Sequence, residues 1–161
     1  MSSPTTTAAT RFCELSSVVR INELTKHPNQ QGDQHTMPKA SKTTATDSMV
    51  LDGYEGHFEN LEGGYTVGFE TYTADADLTP LFAGLPDDRC QCAHWGYVVK
   101  GKVTFKTATG DETFESGDAY YVGPGHTPIL YAGTEVIEFS PTTDLQRTLE
   151  VVERNLAAAT D

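Results

Sequence analysis

Short β-like runs separated by turn residues follow one another from Met49 to Phe139. The runs are rich in β-branched and aromatic residues, and glycines such as Gly64 and Gly101 stand in the turns between them. They recur about every eight to twelve residues with no helical pattern among them, which is typical of β-sandwiches and barrels. Besides the stretch 90–101, which is discussed below, the clearest runs are 65–73, 103–107, 112–115, 119–122, 129–131 and 135–139. The sequence therefore predicts an all-β domain.

A helical pattern follows the last of these runs. Apolar residues of the stretch 142–158 fall three or four positions apart, and Pro141 stands just before it. They are Leu145, Leu149, Val152 and Leu156. This spacing predicts an amphipathic C-terminal helix, with its apolar side packed on the outside of the barrel.

The first part of the chain has a different composition. Residues 1–47 are polar, contain many turn-forming residues and show no sustained period, so we expect a disordered or dispensable N-terminal tail. Within it, 12–24 carries a rough helical stripe, typical either of a short docking helix or of a weak targeting peptide. Met37 would make a natural start of the mature chain. The predicted organisation is thus a tail (1–47), a barrel (48–141) and a helix (142–158).

The charge of the chain restricts its partners. Lys and Arg number 11 against 23 Asp and Glu, a net charge of −12, and the acidic excess lies almost wholly after the tail. Such a domain should repel nucleic acids and anionic membranes. There is no apolar run long enough for a membrane span. Three cysteines do not make a disulfide framework, so we expect a cytoplasmic protein.

Metal-binding side chains are concentrated at the start of the stretch 90–101, the central strand of the predicted barrel. Cys90, Cys92 and His94 alternate, so in a regular strand they point to one face. His126 follows a Gly-Pro-Gly turn further along. Thiolates and imidazoles suit zinc, with iron or copper as alternative occupants. The four residues are therefore candidate ligands of one ion. The alternative is a metal-free barrel in which they are buried core residues.

Strand geometry limits how many of these donors can reach one ion. Residues two apart in a strand are separated by roughly 6.6 Å and residues four apart by roughly 13 Å. Zinc ligands lie only about 2.0–2.3 Å from the metal. Either Cys90 lies in the loop before the strand, or a bulge folds it back. The spacing therefore favours Cys92, His94 and His126 as the ligands, with Cys90 as an uncertain fourth.

The block from Gly84 to Ala132 resembles the cupins. The resemblance rests mainly on the phrases GKVTF from Gly101, ESGDA from Glu115 and GPGH from Gly123. The first cupin motif has a His-x-His pair, a glutamate and a closing glycine, and the second has a Pro-x-Gly and a histidine. A resemblance to this family implies a small double-sheet jelly-roll barrel with a metal ion inside it.

The metal-binding positions depart from the usual cupin set. Counted forward from Gly84, the two histidine positions of the first motif hold Cys90 and Cys92. Counted back from Gly101, the glutamate position holds His94, and His126 stands two residues before the histidine position of the second motif. The resemblance therefore implies that two cysteines and two histidines replace three histidines and a glutamate. Asp88 and Glu138 are candidate carboxylates near this set.

The function is predicted only as a class. The favoured interpretation is a metal-binding cupin that acts on or binds a small organic molecule at a zinc-like site inside the barrel. The alternatives are a non-catalytic sensor of a small molecule or metal and a barrel merely stabilised by metal. Trp95, Tyr97 and Val99 alternate with the inward residues of the central strand and need to be covered. Because cupins commonly pair through the outside of a sheet, the resemblance implies a homodimer.

Overall fold

The computed structural model describes residues 37–159. Within this range the chain forms ten β-strands, two short 3₁₀ helices (Thr79–Phe82 and Pro86–Asp88) and one α-helix. The strands are β1 (Asp47–Leu51), β2 (Tyr54–Leu61), β3 (Tyr65–Tyr72), β4 (Ala76–Asp77), β5 (His94–Lys100), β6 (Lys102–Thr107), β7 (Gly110–Glu115), β8 (Ala119–Val122), β9 (Thr127–Leu130) and β10 (Thr134–Pro141), and the helix is α1 (Thr142–Ala159).

The strands form two antiparallel sheets. One has six strands in the order β1-β2-β3-β10-β5-β8, and the other has four in the order β4-β9-β6-β7. The chain starts in the six-stranded sheet, enters the other sheet at β4, returns at β5, crosses at β6, returns at β8, crosses at β9 and returns at β10, as in a jelly roll. The predicted all-β jelly-roll class is confirmed. The sheets face each other as a sandwich and do not close into a continuously hydrogen-bonded barrel.

The space between the sheets is filled by the inward side chains of both. Strand alternation places Val98 of β5 and Val136 of β10 inside, where they meet Val103 and Phe105 of β6 and Leu130 of β9. All five are almost fully buried. Phe105 and Leu130 of this cluster also line the cavity described below.

Helix α1 has the predicted extent but a more specific position. Leu145, Val152 and Leu156 pack against Met49 and Phe82. Asn155 of α1 also binds the first 3₁₀ helix. Its Nδ2 donates to the backbone oxygen of Leu81 in that helix at 2.8 Å and to the backbone oxygen of Ala83, just after it, at 2.9 Å. The sequence predicts that the helix packs on the outside of the barrel. In the structure the helix also lines the cavity between the sheets.

The outward side of the six-stranded sheet is apolar around β5. Trp95, Tyr97 and Val99 are 43%, 47% and 44% exposed, which confirms that they point away from the core. The cross-strand neighbours of Trp95, Tyr121 of β8 and Phe139 of β10, are exposed as well. These five residues form one patch, called here the outer aromatic face.

The segment before β1 contacts the same sheet. Lys42 Nζ donates to Thr71 Oγ1 at 3.0 Å, and the backbone N–H of Thr46 donates to Glu59 Oε2 at 3.0 Å. The helical stripe at 12–24 lies outside the described residues. In the part of the chain that the structure covers, no helix is both long and apolar enough to cross a membrane.

Candidate metal centre

Three of the four predicted ligands converge in the interior. Cys90, His94 and His126 are all buried, and each offers a ligand atom within 4.8 Å of the others. Cys90 Sγ lies 3.5 Å from His94 Nε2. The two imidazole rings stand nearly perpendicular, with their centroids 5.2 Å apart. A soft thiol and two imidazoles therefore face a common point.

The backbone pairing between Cys90 and His126 creates this arrangement. The N–H of Cys90 donates to the carbonyl of His126 at 2.8 Å, and the N–H of Gly125 donates to the carbonyl of Cys90 at 2.7 Å. Gly125 has a φ of +93°, a conformation that favours glycine. Strand β5 begins only at His94, so Cys90 lies before the strand and not in line with it. Of the two geometries open from the sequence, the structure shows Cys90 in the preceding loop.

Hydrogen bonds orient both imidazoles. His126 Nδ1 lies 2.7 Å from the carbonyl of Gly123, which can only accept, so Nδ1 carries the proton and Nε2 is free to bind a metal. His94 Nδ1 lies 2.7 Å from Ser140 Oγ and 3.6 Å from Glu138 Oε2, which leaves its Nε2 facing the thiol. Such outer partners of metal-binding histidines set the tautomer and the ring orientation.

Burial sets the protonation of the three groups. It lowers the pKa of His94 to about 4 and, with the neighbouring His94 as a smaller cause, also that of His126 to about 4. Burial raises the pKa of the Cys90 thiol to about 11. Near neutral pH both imidazoles are therefore in the form that binds metals, and the thiol is protonated until a cation replaces its proton.

Cys92 lies outside this group. Its side chain is completely buried, packed in the apolar cluster beside Leu145, and its Sγ lies 3.4 Å from the carbonyl of Ala93. Burial, and to a smaller extent the neighbouring Cys90, raises the pKa of its thiol far above the usual value. The spacing favours Cys92 over Cys90, whereas the structure brings Cys90 to the histidines. The cause is the pairing of Cys90 with His126, which breaks the alternation of the strand.

Of the two candidate carboxylates, only Glu138 reaches the site. It lies beside His94 on the inner face of β10 and accepts a hydrogen bond from Tyr120. Asp88 instead accepts from the backbone N–H of Gly84 at 2.8 Å. Sequence reasoning misses Ser140 and Glu70, two further polar residues that line the interior. For Ser140 a signal is available, because it lies two residues from Glu138 and shares the inner face of β10. For Glu70 the pattern of β3 gives no such signal.

A cavity of about 110 Å³ opens beside the three ligands. Its walls come from both sheets, the first 3₁₀ helix and α1, and they are mostly apolar. Its polar lining residues besides Cys90, His94 and His126 are Tyr54, Glu70, Tyr72, Glu138, Ser140 and Thr148. A small molecule held there would contact both the ligand group and the carboxylates.

No protein-family model and no curated protein matches the sequence. The chain is similar to a solved RmlC-like cupin from Shewanella frigidimarina NCIMB 400, at 14% identity over 70% of this chain and 95% of that one, with a TM-score of 0.47. It is also similar to a cupin-2 domain containing protein from the same organism, at 11% identity over 53% and 78% of the two chains, with a TM-score of 0.39. A third similar structure is KdgF from Halomonas sp., at 20% identity over 57% and 82%, with a TM-score of 0.42.

The two Shewanella structures are named as cupins, the family that the sequence motifs resemble, but TM-scores below 0.5 carry no argument about this chain. Identities of 20% and below say nothing about substrate or reaction. The site itself must therefore carry any argument about function.

Proposed function

We propose that this chain is a metal-binding cupin that binds or acts on a small organic molecule inside the barrel, with the metal held by Cys90, His94 and His126. One observation carries the proposal: three buried side chains with metal-binding atoms lie within 4.8 Å of one another beside a cavity. The hydrogen bond from His126 Nδ1 to a backbone carbonyl supports it, because that bond leaves Nε2 unprotonated.

The donor set fits zinc best. One thiolate and two imidazoles are common zinc ligands, whereas iron and copper remain alternative occupants. Three protein ligands are the usual number in a zinc site that keeps a position open for water or substrate. In such a site zinc supplies Lewis-acid chemistry or an activated water. The protein's own contribution is to hold the ligands: the hydrogen bond with Ser140 orients His94, and the backbone carbonyl of Gly123 orients His126.

The test is the metal content of tag-free protein as isolated, followed by the melting temperature with added zinc. We expect about one metal ion per chain. In protein stripped of metal by a chelator, adding zinc should raise the melting temperature. Magnesium, which prefers oxygen ligands, serves as the matched control and should change nothing. Protein that contains no stoichiometric metal and does not respond to zinc would contradict the proposal.

Zinc binding should weaken on acidification. Between about pH 11, where the Cys90 thiol titrates, and about pH 4, where the two imidazoles titrate, the ion displaces a single thiol proton. The apparent affinity should then fall about tenfold for each pH unit lost. Competition titrations with a chromogenic chelator between pH 6 and pH 8 measure this slope. An affinity that changes about a hundredfold for each pH unit, or does not change with pH, would mean that a different set of ligands binds the ion.

We also propose that the chain forms a homodimer through the outer aromatic face and works in the cytoplasm. Aromatic and aliphatic side chains as exposed as Trp95 and Tyr97 are costly to leave in water. The buried free thiols of Cys90 and Cys92 suit a reducing compartment.

Light scattering at micromolar concentration should give twice the monomer mass for the wild type. Tyr97→Lys, which places a charge in the middle of the patch, should give the monomer mass. Ala108→Lys, on an exposed turn of the other sheet, should leave the dimer intact. A monomeric wild-type protein would overturn the dimer.

A further inference from the structure

The cavity contains two carboxylates on neighbouring strands. Glu70 of β3 and Glu138 of β10 both line it, and Glu138 pairs in register with Gly68, two residues from Glu70. Gly68 has no side chain to separate them, and a Cβ at that position would lie 3.2 Å from Glu70 Oε1. Among residues 37–159, no lysine or arginine lines the cavity. Its wall therefore holds two carboxyl groups, and the basic side chains beside them are the imidazoles of His94 and His126, which burial keeps neutral near pH 7.

The groups facing Glu70 are neutral or acidic. Tyr72 of β3 donates its hydroxyl to Glu70 Oε2 at 3.1 Å, and the hydroxyl of Tyr54 on β2 also hydrogen-bonds the carboxylate. From β10 it faces Glu138. Burial, and then the charge of Glu138, raise the pKa of Glu70 to about 8, so near neutral pH this carboxyl group ionises fully only when a cation pairs with it. Glu70 is half-buried, and the groups that hydrogen-bond its carboxyl group are phenols and not cations.

The rest of the cavity suits a short apolar group. Leu51 of β1, Phe58 of β2, Leu81 of the first 3₁₀ helix and Leu149 of α1 line it. A dry protein cavity of about 150 Å³ holds benzene, so the 110 Å³ found here corresponds to a ligand of about four or five heavy atoms. The rings of Tyr54 and Tyr72, stacked with their centroids 5.9 Å apart, add aromatic surface beside Glu70. Aromatic faces attract cations.

We infer that this cavity recognises a small organic molecule that carries a protonated amine, with the ammonium group paired to Glu70 and the apolar part against the leucines of β1, the 3₁₀ helix and α1. The inference rests on the proposed function, since it names the class of molecule that the barrel takes. It gives a role to a carboxyl group that lies in a mostly apolar cavity without a lysine or arginine. Neutral molecules of the same shape would gain no ion pair with Glu70, and anionic molecules would be repelled by the two carboxyl groups.

Three probes of equal chain length test the inference: n-butylammonium, n-butanol and butyrate. Their binding to the protein as isolated is measured by titration calorimetry and by ligand-observed NMR. Because a hydrogen bond to a charged group is stronger than a neutral one, n-butylammonium should bind at least about tenfold more tightly than n-butanol. Butyrate should bind most weakly of the three.

Glu70→Gln should remove the preference, because it keeps the shape of the side chain and deletes its charge. Glu112→Gln, on the exposed strand β7, is the matched control and should retain it. Equal binding of n-butylammonium and n-butanol to the wild type, or an amine preference that survives in a folded Glu70→Gln protein, would overturn the inference. So would the absence of binding by all three probes at millimolar concentration. If zinc still binds in these cases, the metal part of the proposed function stands.

Discussion

Cys90→Ser should weaken zinc binding by about a hundredfold or more, whereas Cys92→Ser should leave it nearly unchanged. Binding free energies of roughly 10–16 kcal/mol for four-ligand zinc sites correspond to about 3 kcal/mol for each ligand, or about a hundredfold in affinity. A serine hydroxyl stays protonated near neutral pH and is a poor replacement for a thiolate. Cys90 Sγ lies beside His94 Nε2, while Cys92 is packed against apolar side chains.

The two serine variants form a matched pair, because both cysteines are buried and only two residues apart. Competition with a chromogenic chelator measures each affinity, and His94→Ala and His126→Ala, which remove a ligand without replacing it, should weaken binding at least as much as Cys90→Ser. Loss of affinity in Cys92→Ser with normal affinity in Cys90→Ser would restore the ligand set that the spacing favours. Equal losses in both would indicate a site closed by four ligands.

Gly96→Ala should lower the free energy of unfolding by about 2–3 kcal/mol, the upper part of the usual range for overpacking a core. Gly96 lies on the inner face of β5 opposite Tyr120, and a Cβ there would overlap the tyrosine ring. The ring cannot retreat easily, since it packs against Phe105 and Phe114 at centroid distances of 5.2 and 5.1 Å and its hydroxyl is bound to Glu138.

Urea unfolding followed by far-UV circular dichroism measures the effect. Gly123→Ala is the control, because a Cβ there meets nothing closer than 3.6 Å and the backbone is not in the left-handed region. We expect the control to lie close to the wild type. If Gly96→Ala is as stable as Gly123→Ala, the interior at Tyr120 is packed more loosely than the structure shows.

Local pattern predicts the fold because each strand and turn carries its own signal. The alternation of β5, the glycine turns and the spacing of α1 are all visible in short windows. The same pattern places His94 inward and His126 after a turn. The choice between Cys90 and Cys92 is different, since it depends on a backbone pairing with His126, which lies far along the chain. No local window contains that information.

Glu70 escapes prediction for another reason. On β3, Val67 and Phe69 share one side and Gly68, Glu70 and Tyr72 the other. Alternation alone suggests that the apolar side faces the core, yet Glu70 and Tyr72 line the cavity. The outward side of this sheet is itself apolar, with Val67 only 2% exposed, so hydrophobicity does not distinguish the two faces.

The three ligands come from both layers of the sandwich. His94 opens β5 in the six-stranded sheet, and His126 immediately precedes β9 in the four-stranded sheet. An ion bound by all three ligands would therefore link the two sheets, and its binding would contribute to the stability of the sandwich. At a free metal concentration a hundred times Kd, this linkage would add about 2.7 kcal/mol to the stability of the fold. The free metal concentration in the cell would then affect both the stability of the folded protein and the occupancy of its metal site.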